Sequence, residues 1–223
     1  MTAECVILIP VFGRPHLIEP LLKSIYSTAP DVSVLFLTTP ADEEGTEAVK
    51  ATGERYARVQ KKRKGDYARK INIGYSITKE PVLFMGATDL VFHEGWLEAG
   101  LATLGDGIHA VGTNDLGNPR VMLGQHSTHT FVTREYVDKF GTIDEPGKIL
   151  HESYPHEYCD DEFVGTATAR GVYKFCKDSI VEHMHPAWGK AKWDDSYLET
   201  NNRVRSSYKI FRRRVPLWMR QSS

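Results

Sequence analysis

Cysteine is scarce: Cys5, Cys159 and Cys176 are the only three in 223 residues, widely spaced and without a CxxC pair. That excludes a disulfide framework and fits a reduced, cytoplasmic setting. Long apolar runs are missing. No stretch approaches the ~20 residues of a membrane span, so no stable membrane insertion is expected. The opening MTAECVILIPVFGR lacks the basic start and long apolar region of a signal peptide. An excess of charge is also missing: the formal net charge is −1, with no global pull towards nucleic acid or acidic lipid. A glycine-rich phosphate loop is absent too, because Phe12-Gly13-Arg14 is too short to be one, which argues against a nucleotidyltransferase. No internal repeat or low-complexity segment occurs.

What is present is an ordinary globular balance, 41% hydrophobic and 26% charged, long enough for one sizeable core. CVILIPV (5–11) is a continuous apolar run that reads as a central parallel strand buried on both faces. Leu17, Ile18, Leu21, Leu22 and Ile25 come next, at helical spacing. Pro20 predicts a late start or a kink there. DVSVLFL (31–37), 55–60 and 82–85 read as further strands, with helices over 43–52 and 67–75 between them. This β-α-β-α-β-α-β order predicts a parallel sheet with right-handed crossovers. Beyond it, 108–112, 121–123, 129–132 and 172–176 read as strands, and 96–104, 134–140 and 160–170 as helices. The segment 141–158 is a long irregular stretch of the kind that carries function. The tail, 193–223, holds seven basic residues in a partly helical, surface-lying segment; a solvated terminus is the general behaviour of such a tail, and closure of its basic residues over a bound anion is the alternative.

Three places carry chemistry. PVLFMGATDLVFHEGW (81–96) reads as a buried strand and a small-residue bend presenting Asp89. Open α/β sheets offer ligands to substrate at this point, although a capping aspartate gives the same pattern. His183 and His185 alternate, so in an extended segment both face one way. Asp89 with one of them suits Mg²⁺ or Mn²⁺ and leaves positions for a diphosphate; an exposed strand end is the plainer account. Asp160-Asp161-Glu162 opens a helix, where acidic side chains are favoured anyway. Coming after a histidine-rich loop, the cluster equally suits a carboxylate general base. The basic run KKRKG (61–65) is of a kind that is usually a solvated loop; ahead of a helix it is also a candidate phosphate contact.

Several segments resemble the family 2 glycosyltransferases of the GT-A fold. VILIPVFGRPHLIEPLLKSI is similar to the family's opening strand and helix. KGDYARKINIGYSITKEPVLFMGATDL is similar to the segment leading to its DxD-type metal motif, and HEGWLEAGL to the segment just past that motif. The second half, through THTFVTREYVDKFGTIDEPGKILHESYPHEY, CDDEFVGTATARG and VEHMHPAWGKA, resembles small stand-alone transferases of phage genomes. The likeness spans about Val6 to Lys192.

The resemblance implies a single Rossmann-like α/β domain over 1–192, with a mostly parallel central sheet flanked by helices and a basic tail over 193–223. Residues 1–114 would be the nucleotide-sugar half and 115–192 the acceptor and catalytic half. It implies that Pro10, Val11, Phe12 and Arg14 line the nucleotide pocket. Thr38 and Thr39 stand where the family often has a base-reading aspartate, and Lys70 and Asn72 would face the nucleotide or donor sugar. In Ala87-Thr88-Asp89, Asp89 is the one carboxylate of the metal motif, with Thr88 beside it and His183 or His185 completing the ligands. Asp160 is favoured over Asp161 as catalytic base, and His151, His156 and Trp188 are acceptor or donor-sugar candidates. The implied reaction is an inverting, divalent-cation-dependent transfer from a UDP-sugar or other NDP-sugar to a protein, lipid or glycan hydroxyl. The alternative is a non-catalytic nucleotide- or carbohydrate-binding module on a degenerate transferase fold. Nucleic-acid binding ranks last, because the basic run has no interleaved aromatics.

Overall fold

The computed structural model describes residues 4–60, 66–201 and 203–219. The basic run KKRKG (61–65), a solvated loop or a candidate phosphate contact, lies outside the described residues. The first half alternates as its apolar periodicity predicts: β1 (Cys5–Pro10), α1 (Ile18–Thr28), β2 (Ser33–Thr38), α2 (Glu43–Thr52), β3 (Tyr56–Arg58), α3 (Tyr67–Ile77) and β4 (Val82–Met85). Pro20 causes no kink. It sits in the first turn of α1, where its missing N–H has no helical partner to lose. The chain continues through β5 (Leu90–Phe92), α4 (Trp96–Thr103), β6 (Ala110–Asn114), the short α5 (Pro119–Met122), β7 (Thr130–Thr133), α6 (Arg134–Lys139), α7 (Cys159–Ala169) and β8 (Tyr173–His183), then α8 (Asp195–Asn201) and α9 (Val204–Met219).

The strands form one eight-stranded sheet in the order β3-β2-β1-β4-β7-β6-β8-β5. β1 pairs parallel with β2 and β4, β2 with β3, and β6 with β8. β7 runs antiparallel to both neighbours, and β5 is antiparallel to β8. The sheet is therefore mostly parallel, with its antiparallel pairings confined to β5 and β7. Two sequence expectations need correcting. Residues 121–123 are not a strand: Pro119 starts a helical turn capped by Asn118, and Val121 is buried from it. Leu90–Phe92, too short to stand out as a run, becomes a strand because β8 extends unbroken to His183 and pairs with it.

β1 is buried on both sides, which its unbroken apolar run requires. Ile7 and Ile9 face α1 and an aromatic cluster on one side; Val6 and Leu8 face α3 and α7 on the other. In the cluster, Trp96 lies 4.6 Å from Phe92, 5.3 Å from Phe84 and 5.5 Å from Phe131, ring centre to ring centre. Truncating one of these rings to alanine costs about 3–5 kcal/mol.

The tail is docked onto the domain. Phe211 of α9 packs on Tyr158, and the indole of Trp218 lies over Gly165 of α7, where a Cβ would stand 2.6 Å from Trp218 Nε1. Arg214 donates to the buried Glu162 from Nε at 2.7 Å and from Nη2 at 2.8 Å, and to Asp144 at 2.6 and 3.0 Å.

Candidate active site

The carboxyl ends of β1 and β4 open into a cavity of about 640 Å³. Beyond β4 the chain must turn against β1, and Gly86 permits it: its N–H donates to Leu8 O at 2.9 Å, and a Cβ there would stand 3.2 Å from that oxygen. The turn delivers Asp89 to the cavity wall, just before β5. The pairing of β5 with β8 sets Leu90 opposite His183, and Met184 N–H donates to Asp89 O at 2.9 Å. One sheet contact thus brings the DxD-like segment and the HMH segment together.

Asp89 is buried, and its Oδ2 accepts from Arg14 Nη1 at 3.1 Å and from the Tyr197 hydroxyl at 2.7 Å, with His183 Nε2 at 3.5 Å. Burial opposes its charge, but His183, Arg14 and Tyr197 outweigh burial and hold the carboxyl well below the usual range. The other edge of Arg14 grips Asp194, from Nε at 2.9 Å and Nη2 at 3.1 Å. His129 sits behind His183, the two rings edge to face at 5.1 Å. Its Nδ1–H donates to Met85 O at 2.9 Å, and its buried Nε2 has no hydrogen-bond partner among the described residues. Burial, then the charge of His183, pushes it down to about 4, so it is a neutral imidazole with a free lone pair. His185 is likewise pushed down to about 4, by burial and then by His183; its Nδ1 accepts from Ala187 N–H, so in the neutral ring Nε2 carries the proton.

Asp160 and Asp161 stand on another part of the wall, in the first turn of α7. The residue before the helix, Tyr158, takes a left-handed φ of 68°, unusual for a large side chain, to aim this turn. The buried His126 lies between the two carboxylates, Nε2 at 3.3 Å from Asp160 and Nδ1 at 3.9 Å from Asp161. Asp161 also binds Arg120 Nη2 at 2.9 Å. Burial works against a charge on His126, but the two aspartates outweigh it and hold its pKa above the ordinary value. Burial also raises Asp160, yet His126 brings it below the ordinary value; Asp161 stays above its own, through burial and the Asp160 charge.

Most of the sequence-derived residues meet at this one cavity: Pro10, Val11, Phe12, Arg14, Lys70, Thr88, Asp89, Asp160, Asp161, His183 and His185, with His156 and Trp188. Lys70 is buried in the wall, donating from Nζ to Val11 O at 2.8 Å. Four of the expected residues lie outside this wall. Asn72 does not face the cavity, because its side chain pins the 149–152 loop, accepting from Ile149 and Leu150 N–H and donating to Leu150 O. Thr38 and Thr39 do not line it either; they are buried at the end of β2. His151 is tied to Ser153 instead. Asp89 and His183 come together as a pair. Among the described residues, the three-membered group with metal-compatible spacing is His126, Asp160 and Asp161, whose ligand atoms lie within 4.8 Å of one another.

Sequence reasoning missed Tyr197 and Asp194 in the tail, and His126, His129 and Arg120. The only signal for the histidines was GQHSTHT, two histidines among small polar residues in a stretch of loose pattern. For Tyr197 there was none beyond an aromatic residue at a helix start.

No protein-family model and no curated protein sequence matches the chain. Solved structures do match in fold. A mannosyltransferase from Pyrobaculum calidifontis, solved with GDP-Man and Mn²⁺, superposes with a TM-score of 0.62 at 16% identity, covering 81% of this chain and 56% of that one. The chain thus spans a little over half the length of that enzyme. Glucosyl-3-phosphoglycerate synthase from Mycobacterium tuberculosis, solved with Mn²⁺, UDP-glucose and phosphoglyceric acid, gives 0.65 at 13% identity over 96% of this chain and 80% of that one. Its complex with UDP gives 0.60 at 13% identity over 99% and 80%. The fold is that of the GT-A glycosyltransferases.

Proposed function

We propose that the chain is a divalent-cation-dependent glycosyltransferase, moving a hexosyl group from a nucleoside-diphosphate sugar to an acceptor hydroxyl with inversion. One observation carries the reading: a single cavity joins the Asp89–His183 pair, beyond β4, to Asp160 at the start of α7. The structural neighbours named above, solved with Mn²⁺ and GDP-Man or UDP-glucose, support it. The second-half motifs group it with the small phage-type transferases, and three free cysteines fit a cytoplasmic setting. Residues 1–114 supply the donor side and 115–192 the acceptor side.

The donor set fits a metal ion. Asp89 offers a carboxylate and His183 an imidazole, a mixture that suits Mn²⁺ and is acceptable to Mg²⁺; His185 stands beside them in the wall and joins the set only on giving up its bond from Ala187 N–H. The unpartnered Nε2 of His129 behind them is the orphaned polar atom expected beside such a site. A bound ion supplies Lewis-acid neutralisation of the departing diphosphate. The chain's residues do the rest. Pro10, Val11 and Phe12 wall the nucleotide, with Thr88 beside the diphosphate. Lys70 fixes the end of β1 through Val11 O. Arg14, in the cavity wall, offers a cation for phosphate charge.

Asp160 is the general base: it takes the proton from the acceptor hydroxyl as that oxygen attacks the sugar C1. Asp161 is a poorer choice, because Arg120 already occupies it at 2.9 Å. The acceptor class is a protein, lipid or glycan hydroxyl, approaching past His156 and Trp188.

The test is calorimetric binding of nucleoside diphosphates and nucleotide sugars, with and without Mn²⁺, to the native protein and Asp89→Ala. Mn²⁺-dependent binding of one nucleotide, lost in Asp89→Ala, is the expected result. Binding indifferent to both metal and mutation overturns the metal role; donor binding without any turnover favours a binding module.

A further inference from the structure

The described cations of the tail divide into three groups. Arg203 lines the cavity, and Arg214 is consumed by Glu162 and Asp144. The remaining four, Arg205, Lys209, Arg212 and Arg213, are exposed, and none has an ion-pair partner among the described residues. They lie on α9 at spacings i, i+4, i+7 and i+8, which places them on one helix face. The helix, VRSSYKIFRRRVPLWM, contains no acidic residue, although the whole chain carries a net charge of −1. Its apolar face is already spent: Phe211 and Trp218 pack on the domain. The outward face is therefore a fixed cationic stripe. At its C-terminal end Leu217 and Met219 are 42% and 64% exposed, apolar side chains with nothing to cover them among the described residues.

We propose that this face of α9 docks on an anionic phospholipid surface. Charge complementarity supplies the attraction, since lysine and arginine near an anionic leaflet act additively without insertion. Leu217, Met219 and the exposed Tyr208 supply shallow apolar contact at the headgroup level. A nucleic acid is the poorer fit: the stripe is convex, and it lacks the groove and the successive aromatic platforms that hold a strand. The helix begins where Arg203 and Val204 line the cavity, so docking brings the cavity mouth beside the lipid surface. The inference does not depend on the transfer reaction.

The test is co-sedimentation of the full chain with phosphatidylcholine vesicles, with and without phosphatidylserine, at low and physiological salt. Binding confined to phosphatidylserine vesicles and weakened by salt is expected. Each neutralising change among Arg205→Gln, Lys209→Gln, Arg212→Gln and Arg213→Gln should lower partitioning about five-fold. Circular dichroism and thermal midpoint of the variants should match the native chain, because these side chains are exposed and make no ion pair among the described residues. Absence of vesicle binding, equal binding to neutral vesicles, binding unchanged in the quadruple variant, or preference for an oligonucleotide competitor over vesicles would each overturn it.

Discussion

The guanidinium of Arg14 lies 3.6 Å above the ring of Tyr197, joining the loop after the first strand to a tail helix 183 residues later. The same tyrosine donates to Asp89 Oδ2, the oxygen that Arg14 also contacts. A cation reaching Asp89 must compete with both donors. Tyr197→Phe keeps the stacked ring and removes one competitor. Its expected effect is a roughly five-fold gain in Mn²⁺ affinity, the equivalent of one net hydrogen bond. Calorimetric titration of Mn²⁺ in the presence of nucleotide checks it; unchanged or weaker binding would remove Tyr197 from the metal's surroundings.

The two aspartates at the start of α7 should separate kinetically. Asp160→Asn is expected to lower turnover by about 10²–10⁴-fold with donor binding intact, the usual worth of a general base. Asp161→Asn should cost far less, because its partner Arg120 is solvent-exposed and can rehydrate. Donor-consumption rates on the two variants decide the assignment, and the reverse ranking would transfer the role to Asp161.

The buried Glu162 and the half-buried Arg214 form a pair that ties the tail to α7. Arg214→Met alone leaves Glu162 uncompensated and should cost about 3–5 kcal/mol in urea denaturation. Pairing it with Glu162→Gln should recover most of that loss. Additive losses in the double variant would show that the two side chains do not act as a unit.

Asn72 offers a control on the cavity. Asn72→Ala removes the acceptor for Ile149 and Leu150 N–H, and leaving those donors unsatisfied costs about 1–3 kcal/mol. Nucleotide affinity should be unchanged once folded protein is compared. A selective loss of nucleotide binding would return Asn72 to the site.

Stability should respond to pH in opposite senses at two places. Burial alone would raise Glu80, but its hydrogen bonds from Arg55 and backbone N–H bring it to about 2. Its contribution is complete above the ordinary carboxylate value of 4.5 and is lost as pH falls through about 2. His126 is held above 6.5, chiefly by Asp160 against its burial. Its contribution is complete below 6.5 and is lost as pH rises through the elevated value. Thermal midpoints across pH on the native chain and His126→Gln test this: the alkaline decline should flatten in the variant, and an unaltered decline would exclude His126 as its source.

The parallel half of the fold was legible because strands buried on both faces must be apolar throughout, and CVILIPV and VLFM are. The same logic exposed Asp89, the first charge after such a run. β5 was not legible: three residues carry no period, and its partner β8 lies far away in sequence. The tail misled for a related reason. Its composition is that of a solvated terminus, and only the fit of Trp218 over Gly165, with the Arg214 contacts, reveals that it is docked. Asn72 stood at a position suggested by resemblance, but local backbone donors in the 149–152 loop claimed its side chain.

The pairing of β5 with β8 has a consequence for how the chain is made. Strands β1 to β4 are complete once residue 85 has been synthesised, whereas the partner of Leu90–Phe92 begins at Val181. At ordinary ribosomal speeds about 5–20 s pass between the two. Until β8 is made, β5 and β6 lack their shared partner strand and expose an apolar edge, and Asp89 lacks His183 and Tyr197. A ribosome-bound fragment ending before β8 should therefore engage chaperones at this edge and take up no nucleotide, and both properties should change together as β8 emerges.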